Sequence, residues 1–270
     1  MKAISKKIFM LIIILFSLQQ SYGQVDDAPK PPVPLAPVRE ADIMWSKRIW
    51  RVIDMREKIN LPFYYPTTPA NGLKSFMQVV MDAIKNNEIT VYDASSDEFL
   101  IPLTYEQIMQ NLSQADTMTI QRTEPPYDTY DTVITKDFDP TTVKQIRMKE
   151  DWFFDKQRSV MDVRILGLCP ITEEYDENGE FKGYKPLFWI YYPHARNVFV
   201  QNNVFNRFND SIRLSYDDIF IKRFFNSYIY KESNVYDRKI SEYAKGIDAL
   251  LESERIKNDI FILEHDLWEY

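Results

Sequence analysis

Two short phrases occur twice in this chain, in the same order and at nearly the same spacing. Residues 52–56 read VIDMR, residues 160–164 read VMDVR, and a proline follows each copy six residues later. Residues 103–108 read LTYEQI, and residues 214–219 read LSYDDI. These offsets predict a duplicated unit of about 110 residues. The alternative is two strand–helix segments with similar patterning. A doubled module is more typical of a scaffold than of an enzyme with one active site.

Residues 1–23 have the features of a secretory signal peptide. Lys2, Lys6 and Lys7 form a positive start, and an apolar run over residues 8–18 follows. This run is too short to cross a bilayer as a helix. No cysteine lies near the expected cleavage site before Gln24. We therefore expect an exported chain with no lipid and no direct membrane anchor.

The composition limits the possible partners and the compartment. The chain has 40 Asp and Glu against 33 Lys and Arg, which argues against non-specific binding to nucleic acid or to an anionic lipid surface. With 17 Phe, 17 Tyr and 5 Trp, it can fill a core and still leave aromatic side chains for interfaces. Cys169 is the single cysteine, so an intrachain disulfide is excluded. An exported chain without disulfides fits a bacterial periplasm.

Residues 24–41 are predicted to form a proline-rich tether. Five prolines between residues 28 and 37 remove amide donors and favour an extended polyproline II backbone. The segment is either a spacer or a stiff tether that lies along a partner. Its candidate contact residues are Pro31, Pro32, Pro34 and Pro37.

The remaining sequence predicts an α+β fold of short strands with flanking helices. A first half (42–115) precedes a connecting excursion (116–149), and a second half (150–270) ends in a helix. The first half contains an amphipathic helix, with apolar residues at spacings of three and four from Leu73 to Ile84, and a helix capped by Thr104. The excursion suggests either a β-hairpin or an irregular segment, because residues 116–135 alternate around Glu124, Pro125 and Pro126.

The second half predicts a strand over 159–171, a hairpin turn at Asn178-Gly179 and an aromatic strand over 187–192 that ends at Pro193. Ser215 is predicted to cap a helix whose apolar face is formed by Ile219, Phe220, Phe224 and Phe225. The predicted C-terminal helix has one apolar stripe, made of Ile240, Tyr243, Ile247 and Leu250. This stripe packs either on the chain's own core or on a neighbouring subunit.

Few residues could support catalysis or hold a metal. A Cys–His nucleophile would need Cys169 beside His194, yet Cys169 lies in an apolar run, where thiols are usually inert. His194 and His265 are the only histidines, and the chain has no glycine-rich phosphate loop and no calcium-loop or zinc spacing. We therefore predict no catalytic residues, no cofactor and no metal. The repeated Asp-x-Arg is interpreted as an ion pair along a strand, or alternatively as a duplicated ligand or subunit contact.

Several stretches resemble the gliding motility protein family GldN, whose non-gliding counterpart is PorN. They are WRVIDMREKINLP at residues 50–62, YYPHARNVF at 191–199, VFNRFND at 204–210 and LSYDDIF at 214–220. The resemblance covers nearly the whole chain after the leader and keeps its order. It implies a periplasmic component of the type IX secretion system of Bacteroidota. No catalytic motif accompanies it.

The resemblance also implies partners. Members of this family assemble with an outer-membrane lipoprotein, GldK or PorK, into rings that meet the periplasmic part of the motor protein GldM or PorM. A non-catalytic, self-associating ring subunit held at the outer membrane by its lipoprotein is therefore the first functional hypothesis. Besides the prolines, the candidate contacts are the aromatic residues of two stretches, namely Phe63, Tyr64, Tyr65, Trp189, Tyr191 and Tyr192. The alternatives are a periplasmic module that binds glycan or peptidoglycan, suggested by the aromatic content, and a hydrolase.

Overall fold

The computed structural model describes residues 31–112, 114–121, 129–136, 138–176, 179–206 and 213–267; for 114–121 and 129–136 it describes the backbone alone. The predicted signal peptide lies outside these residues. The strands are β1 (Ile43–Asp54), β2 (Val91–Tyr92), β3 (Pro102–Leu103), β4 (Gln114–Gln121), β5 (Thr129–Lys136), β6 (Val143–Asp155), β7 (Val160–Tyr175), β8 (Phe181–Pro186), β9 (Trp189–Tyr191), β10 (Asn203–Val204), β11 (Leu214–Ser215) and β12 (Tyr228–Glu232). The helices are α1 (Leu61–Tyr64), α2 (Phe76–Lys85), α3 (Tyr105–Leu112), α4 (Tyr192–Gln201), α5 (Tyr216–Ile221), α6 (Ile240–Tyr243) and α7 (Ile247–Asp266). The predicted α+β class is confirmed.

An antiparallel sheet of eight strands organises the fold. Its order is β12-β1-β6-β7-β9-β2-β3, and β8 pairs with the far end of β7. The long strands β1, β6 and β7 form its centre, where Asp54 of β1 pairs with Gln145 and Glu150 of β6 pairs with Ile165. Strands from both predicted halves therefore share one sheet, and β6, which begins within the predicted excursion, lies between them.

Side-chain alternation along the central strands gives the sheet one face covered by helices. Ile49, Arg51 and Ile53 of β1 point to this face, because residues two apart in a strand share a side. Ile53 belongs to the main core, which also contains buried residues of α1, α2, α4 and α5. Ile49 belongs to a second cluster with Ile256 of α7. Arg51 lies between these two apolar clusters.

Helix α2 confirms the predicted amphipathic helix. Ser75 caps it, since the Ser75 hydroxyl accepts from the Gln78 amide and the Gln78 side chain accepts from the Ser75 amide at 2.9 Å. Such a reciprocal pair satisfies two amides that the first turn leaves without helical partners. The predicted cap at Thr104 forms the same arrangement with Gln107.

The prediction of one long C-terminal helix with a continuous apolar stripe is wrong. Gly246, with a φ of 60°, separates α6 from α7. Ile247 and Leu250 are 75% and 59% exposed, whereas Ile256 and Ile260 are buried against the sheet. The sequence spacing could not show which residues are buried, because the exposed pair (Ile247 and Leu250) and the buried pair (Ile256 and Ile260) both fit a helical period. Helix α7 turns a different side toward the sheet than the stripe suggested.

Two further boundaries differ from the prediction. The aromatic strand ends at Tyr191, and Pro193 lies in the first turn of α4, a position where its missing N–H costs no helical hydrogen bond. Helix α5 ends at Ile221, so Phe224 and Phe225 do not extend its apolar face, and Phe224 is 52% exposed.

The predicted hairpins are present. Strands β4 and β5 pair antiparallel as the excursion suggested, although its prolines at 125 and 126 lie outside the described residues. Strands β7 and β8 form the second hairpin, in which Gly179 has a φ of 79°. Asn178, the other predicted turn residue, also lies outside the described part of the chain.

A helix–strand–strand–helix segment occurs twice, as α2-β2-β3-α3 and as α4-β10-β11-α5. Val91 pairs with Leu103 in the first copy, and Asn203 pairs with Ser215 in the second. Each residue of the second pair therefore follows its counterpart in the first by the same number of positions. The second repeated phrase lies at the strand–helix junction of each copy. The first repeated phrase lies at the end of β1 and at the start of β7, which are different strand positions. Duplication of the whole unit therefore stays a prediction.

Candidate functional site

The proline-rich segment lies along the chain's own body. From Pro31 to Val38 it has no regular secondary structure. The Arg196 guanidinium donates to the carbonyl oxygen of Val33 at 2.7 Å, and Arg164 donates to that of Ala36 at 2.6 Å. Both contacts use main-chain carbonyls, which are available because prolines leave the segment without a hydrogen-bond ladder. The described part of the predicted tether is thus a docked strap and not a free spacer.

Most of this strap is exposed to solvent. Pro31, Pro34 and Pro37 are exposed, while Pro32 is half-buried. A spacing of three matches the polyproline II repeat, which places such residues on one ridge. Of the predicted proline contacts, these three are therefore available to a partner.

The first anchor of the strap is a buried charge cluster between α4 and α5. Arg196 donates from Nε and from a terminal nitrogen to the two carboxylate oxygens of Asp217, both at 2.9 Å, and the Tyr192 hydroxyl donates to Asp217 at 2.6 Å. Burial and the Asp217 carboxylate both raise the pKa of Tyr192, so the hydroxyl keeps the proton that it donates. The hydrogen bond to Asp217 raises the pKa of Arg196. The strap is therefore held by a rigid, permanently charged group.

The second anchor is the arginine of the second Asp-x-Arg. Arg164 forms an ion pair with Asp162 at 3.3 Å and lies over the Phe153 ring at 5.7 Å. In the first motif, Arg56 forms an ion pair with Asp54 at 2.6 Å. Both motifs form ion pairs, but only the second lies along a strand as predicted, because Arg56 follows the end of β1. Their equivalence is not confirmed, because Asp54 ends β1 whereas Asp162 lies near the start of β7.

The aromatic contact candidates divide between core and surface. Phe63, Trp189 and Tyr192 are 1%, 4% and 2% exposed, so their side chains stabilise the fold and are not accessible to a partner. Phe63, for example, packs edge-on against Phe76 at 5.9 Å between ring centres. Tyr64 and Tyr191 are half-buried, and Tyr65 is 50% exposed. Composition could not separate these roles because neighbouring aromatic residues point in different directions.

The structure adds an aromatic cluster that sequence reasoning missed. Tyr175, Phe181 and Tyr184 are exposed on the β7–β8 hairpin, with ring centres 6.1 Å and 5.1 Å apart along the series. The available signal was the turn at Asn178-Gly179, since a hairpin brings aromatic residues on its two sides together. Exposed rings in contact favour a binding role over a core role.

The residues considered for catalysis do not form an active site. Cys169 is fully buried, and burial raises the pKa of its thiol to about 12. His194 is exposed at the start of α4, with its ring packed edge-on against Tyr191. Across the described ranges, no group of three or more His, Cys, Asp or Glu residues could hold a metal ion.

Comparison with known proteins gives one family. A model described as "Gliding motility associated protein GldN" matches residues 38–269, nearly all of the described chain. No curated protein sequence matches. Within the ranges that the structure describes, no helix has the length and apolarity needed to cross a bilayer.

Proposed function

The chain belongs to the GldN family of gliding motility associated proteins, and from this membership we propose that it is a structural subunit of a periplasmic ring in the type IX secretion system. The family associates the chain with gliding motility and type IX secretion, and it is not a known enzyme family. The proposal adds the ring, the periplasm and a structural role. The family match over residues 38–269 is the observation that carries it.

The proposed partners are an outer-membrane lipoprotein like GldK or PorK, the periplasmic domain of a motor protein like GldM or PorM, and further copies of the chain. The signal-like leader supports export. Attachment to the outer membrane then comes through the lipoprotein. In a ring, each copy meets the next through two different surfaces. The exposed prolines of the strap and Tyr65 are the proposed contacts that remain on the surface of the folded chain.

Affinity purification from native cells tests the proposal. A tagged copy of the full chain replaces the original, and the outer membrane is extracted gently. We expect a particle far larger than one chain, containing many copies and a lipoprotein identified by mass spectrometry. The untagged strain is the control for non-specific recovery. A monomer that carries no lipoprotein would contradict the ring.

Deletion of residues 28–37 tests the strap as a partner contact. We expect the deleted chain to recover less of the lipoprotein than the intact chain. A triple Pro31→Ser, Pro34→Ser, Pro37→Ser variant separates the exposed ridge from the rest of the strap. Unchanged recovery of the lipoprotein by both variants would remove the strap from the proposed interface.

A glycan-binding role is the second candidate, because tyrosine and phenylalanine rings on the β7–β8 hairpin are exposed and in contact. Co-sedimentation with purified insoluble peptidoglycan tests it. Saturable binding that is lost in a Tyr175→Ser, Phe181→Ser, Tyr184→Ser variant favours this role. Absence of binding by the intact chain excludes peptidoglycan as the ligand.

A further inference from the structure

A cavity of about 550 Å³ lies between the helix-covered face of the sheet, α7 and the loop that follows α5. Arg51 of β1 and Trp152 of β6 line its floor, and Arg223 lies on the loop side. Phe261 and Lys257 of α7 lie at its rim, where Phe261 is 67% exposed. The cavity occupies the gap between the two apolar clusters on this face, and its volume is within the range of small-ligand sites.

The floor of the cavity holds two guanidiniums against one carboxylate. Glu150 is fully buried and accepts from Nε of Arg51 and from Arg223 at 2.7 Å. Because arginine side chains stay protonated, this buried group carries one excess positive charge. Burial, followed by repulsion from Arg223, lowers the pKa of Arg51. A second anion beside these arginines would therefore be stabilised.

Charges from the surrounding elements offset only part of this excess at the floor. On α7, Lys257 pairs with Glu254 at 3.5 Å, and both side chains are more than half exposed. Glu254 also attracts Arg51 at longer range. Glu264, half-buried on the same helix, lines the rim. Water screens the exposed Lys257 and Glu254 more strongly than it screens the buried group.

Arg223 occupies a backbone position that favours glycine. It follows α5 with a φ of 54°, where the Phe224 amide donates to the Ile219 carbonyl and closes the helix end. Glycine takes this left-handed conformation without the steric cost that a side chain brings. The arginine instead places its guanidinium 5.4 Å from the Trp152 ring centre and 5.3 Å from that of Phe225. The left-handed conformation of this residue thus directs a guanidinium toward the aromatic side chains of the cavity.

Trp152 completes an aromatic surface for these charges. The Arg51 guanidinium lies 5.5 Å from its ring centre. The indole N–H is buried and makes no hydrogen bond among the described residues. Although burial opposes it, attraction by Arg223 and Arg51 lowers the pKa of Glu150. The cavity therefore combines a cationic floor with the apolar walls of Phe225 and Phe261.

We propose that this cavity binds a carboxylate carried on an apolar group, as presented by the C-terminal residue of a peptide. The carboxylate would lie beside Arg223, whose side chain is 30% exposed toward the cavity although it pairs with Glu150. Planar guanidiniums suit carboxylates because they offer parallel N–H donors. The apolar group would pack between Phe225 and Phe261. This site is independent of the proposed ring, since it is a property of the isolated chain.

A matched pair of small ligands tests the proposal on the purified full chain. N-acetyl-phenylalanine and its amide differ only in the carboxylate, and isothermal titration calorimetry measures both. We expect the acid to bind at least about tenfold more tightly than the amide and to weaken as salt is raised. A third ligand, 3-phenylpropionate, has the apolar group and the carboxylate but no peptide bond. It therefore distinguishes a peptide C-terminus from any other apolar acid. Equal affinity for it indicates any apolar acid, and weaker affinity indicates a peptide terminus.

Two variants test whether the ligand binds in the cavity. Arg223→Gly removes the guanidinium and leaves a residue that favours the same backbone, and we expect it to weaken the acid about tenfold while leaving the amide unchanged. Phe261→Ser, at an exposed position that does not support the core, should weaken both ligands and keeps the test valid if Arg223→Gly fails to fold. Lys257→Gln is the matched rim control and should change affinity less than twofold. Failure of the acid to bind, equal binding of acid and amide, or wild-type affinity in both variants would overturn the proposal.

Discussion

The guanidinium of Arg164 donates a hydrogen bond to the carbonyl oxygen of Ala36, 128 positions earlier in the chain, at 2.6 Å. This contact joins the repeated Asp-x-Arg motif to the proline-rich strap. It explains how a segment with few amide donors is held without joining the sheet. Among the described residues, Arg164 and Arg196 donate the side-chain hydrogen bonds that hold the strap.

Arg164→Ala should release the strap while the sheet stays intact. A hydrogen bond from a charged donor contributes about 1.5–3 kcal/mol, so the undocked population of the strap should rise about tenfold or more. Limited proteolysis with a protease of broad specificity, followed by mass spectrometry, should then cut residues 31–38 faster by a similar factor. Arg158→Ala is the control, since Arg158 pairs with Asp155 and Asp162 but has no described contact with the strap. Unchanged proteolysis of residues 31–38 in Arg164→Ala would show that Arg196 alone holds the segment.

Local signals predicted several elements well. The cap at Thr104 with Gln107 and the apolar spacing of α2 depend on residues three or four positions apart, so a sequence contains the information directly. The α+β class followed from the same patterns. The break at Gly246 was missed because the sheet, and not the helical period, decides which side of α7 is buried.

The candidate site was harder to predict because it depends on distant residues. Arg164 and Arg196 meet the strap only after folding, and nothing near residues 33–36 in sequence identifies them. Phe63 and Tyr65 belong to one aromatic stretch, yet Phe63 is buried in the core and Tyr65 is exposed. The cavity beside Arg223 was missed for the same reason, since its lining comes from β1, β6, the loop after α5 and α7.

Acid should remove the contribution of Glu173 to stability. Hydrogen bonds from Lys144 at 2.9 Å and from Tyr175 at 2.7 Å hold the pKa of Glu173 below its ordinary value. The unfolded chain therefore binds more protons in this range, so the contribution is present above about pH 4.5 and is lost as pH falls through the folded pKa. Glu173→Gln should lower the free energy of unfolding at pH 7 by about 1 kcal/mol or less.

Urea unfolding at pH 7 and at about pH 3 measures this difference. The gap between wild type and Glu173→Gln should shrink in acid. Glu174→Gln is the neighbouring control, because Glu174 is more exposed and Lys182 lies 3.4 Å away. A gap that grows on acidification would contradict the assigned sign.

Cys169 should be unreactive until the fold opens. Its thiol is fully buried, and burial raises its pKa to about 12, which reduces the thiolate fraction about a thousandfold relative to an ordinary cysteine. Labelling with iodoacetamide at pH 8 should therefore be slow in the native chain and fast in urea. An exposed control is Lys85→Cys in a Cys169→Ala background, which should label at the same rate in both conditions. Rapid native labelling of Cys169 would reopen the question of a reactive thiol.

Gly167 should resist substitution because the Phe99 ring occupies the space of a side chain. A Cβ built at Gly167 would lie 2.5 Å from Cζ of Phe99 and 3.2 Å from the Ile190 carbonyl oxygen. Phe99 is itself held edge-on by Trp189 and Tyr191. Gly167→Ala should therefore destabilise the chain by about 1–3 kcal/mol, the usual cost of overpacking.

A double-mutant cycle identifies the ring as the cause of this cost. In a Phe99→Ala background, Gly167→Ala should cost about 1 kcal/mol less than in the wild type, because the methyl group then replaces part of the lost ring. Gly183→Ala on β8 is the control, since no atom lies within 4 Å of its built Cβ, and thermal unfolding should change little. Equal costs of Gly167→Ala in both backgrounds would point to the strand pairing with Ile190 and Tyr191 as the constraint. The cycle thus distinguishes a side-chain contact from a backbone requirement at a glycine in the centre of the sheet.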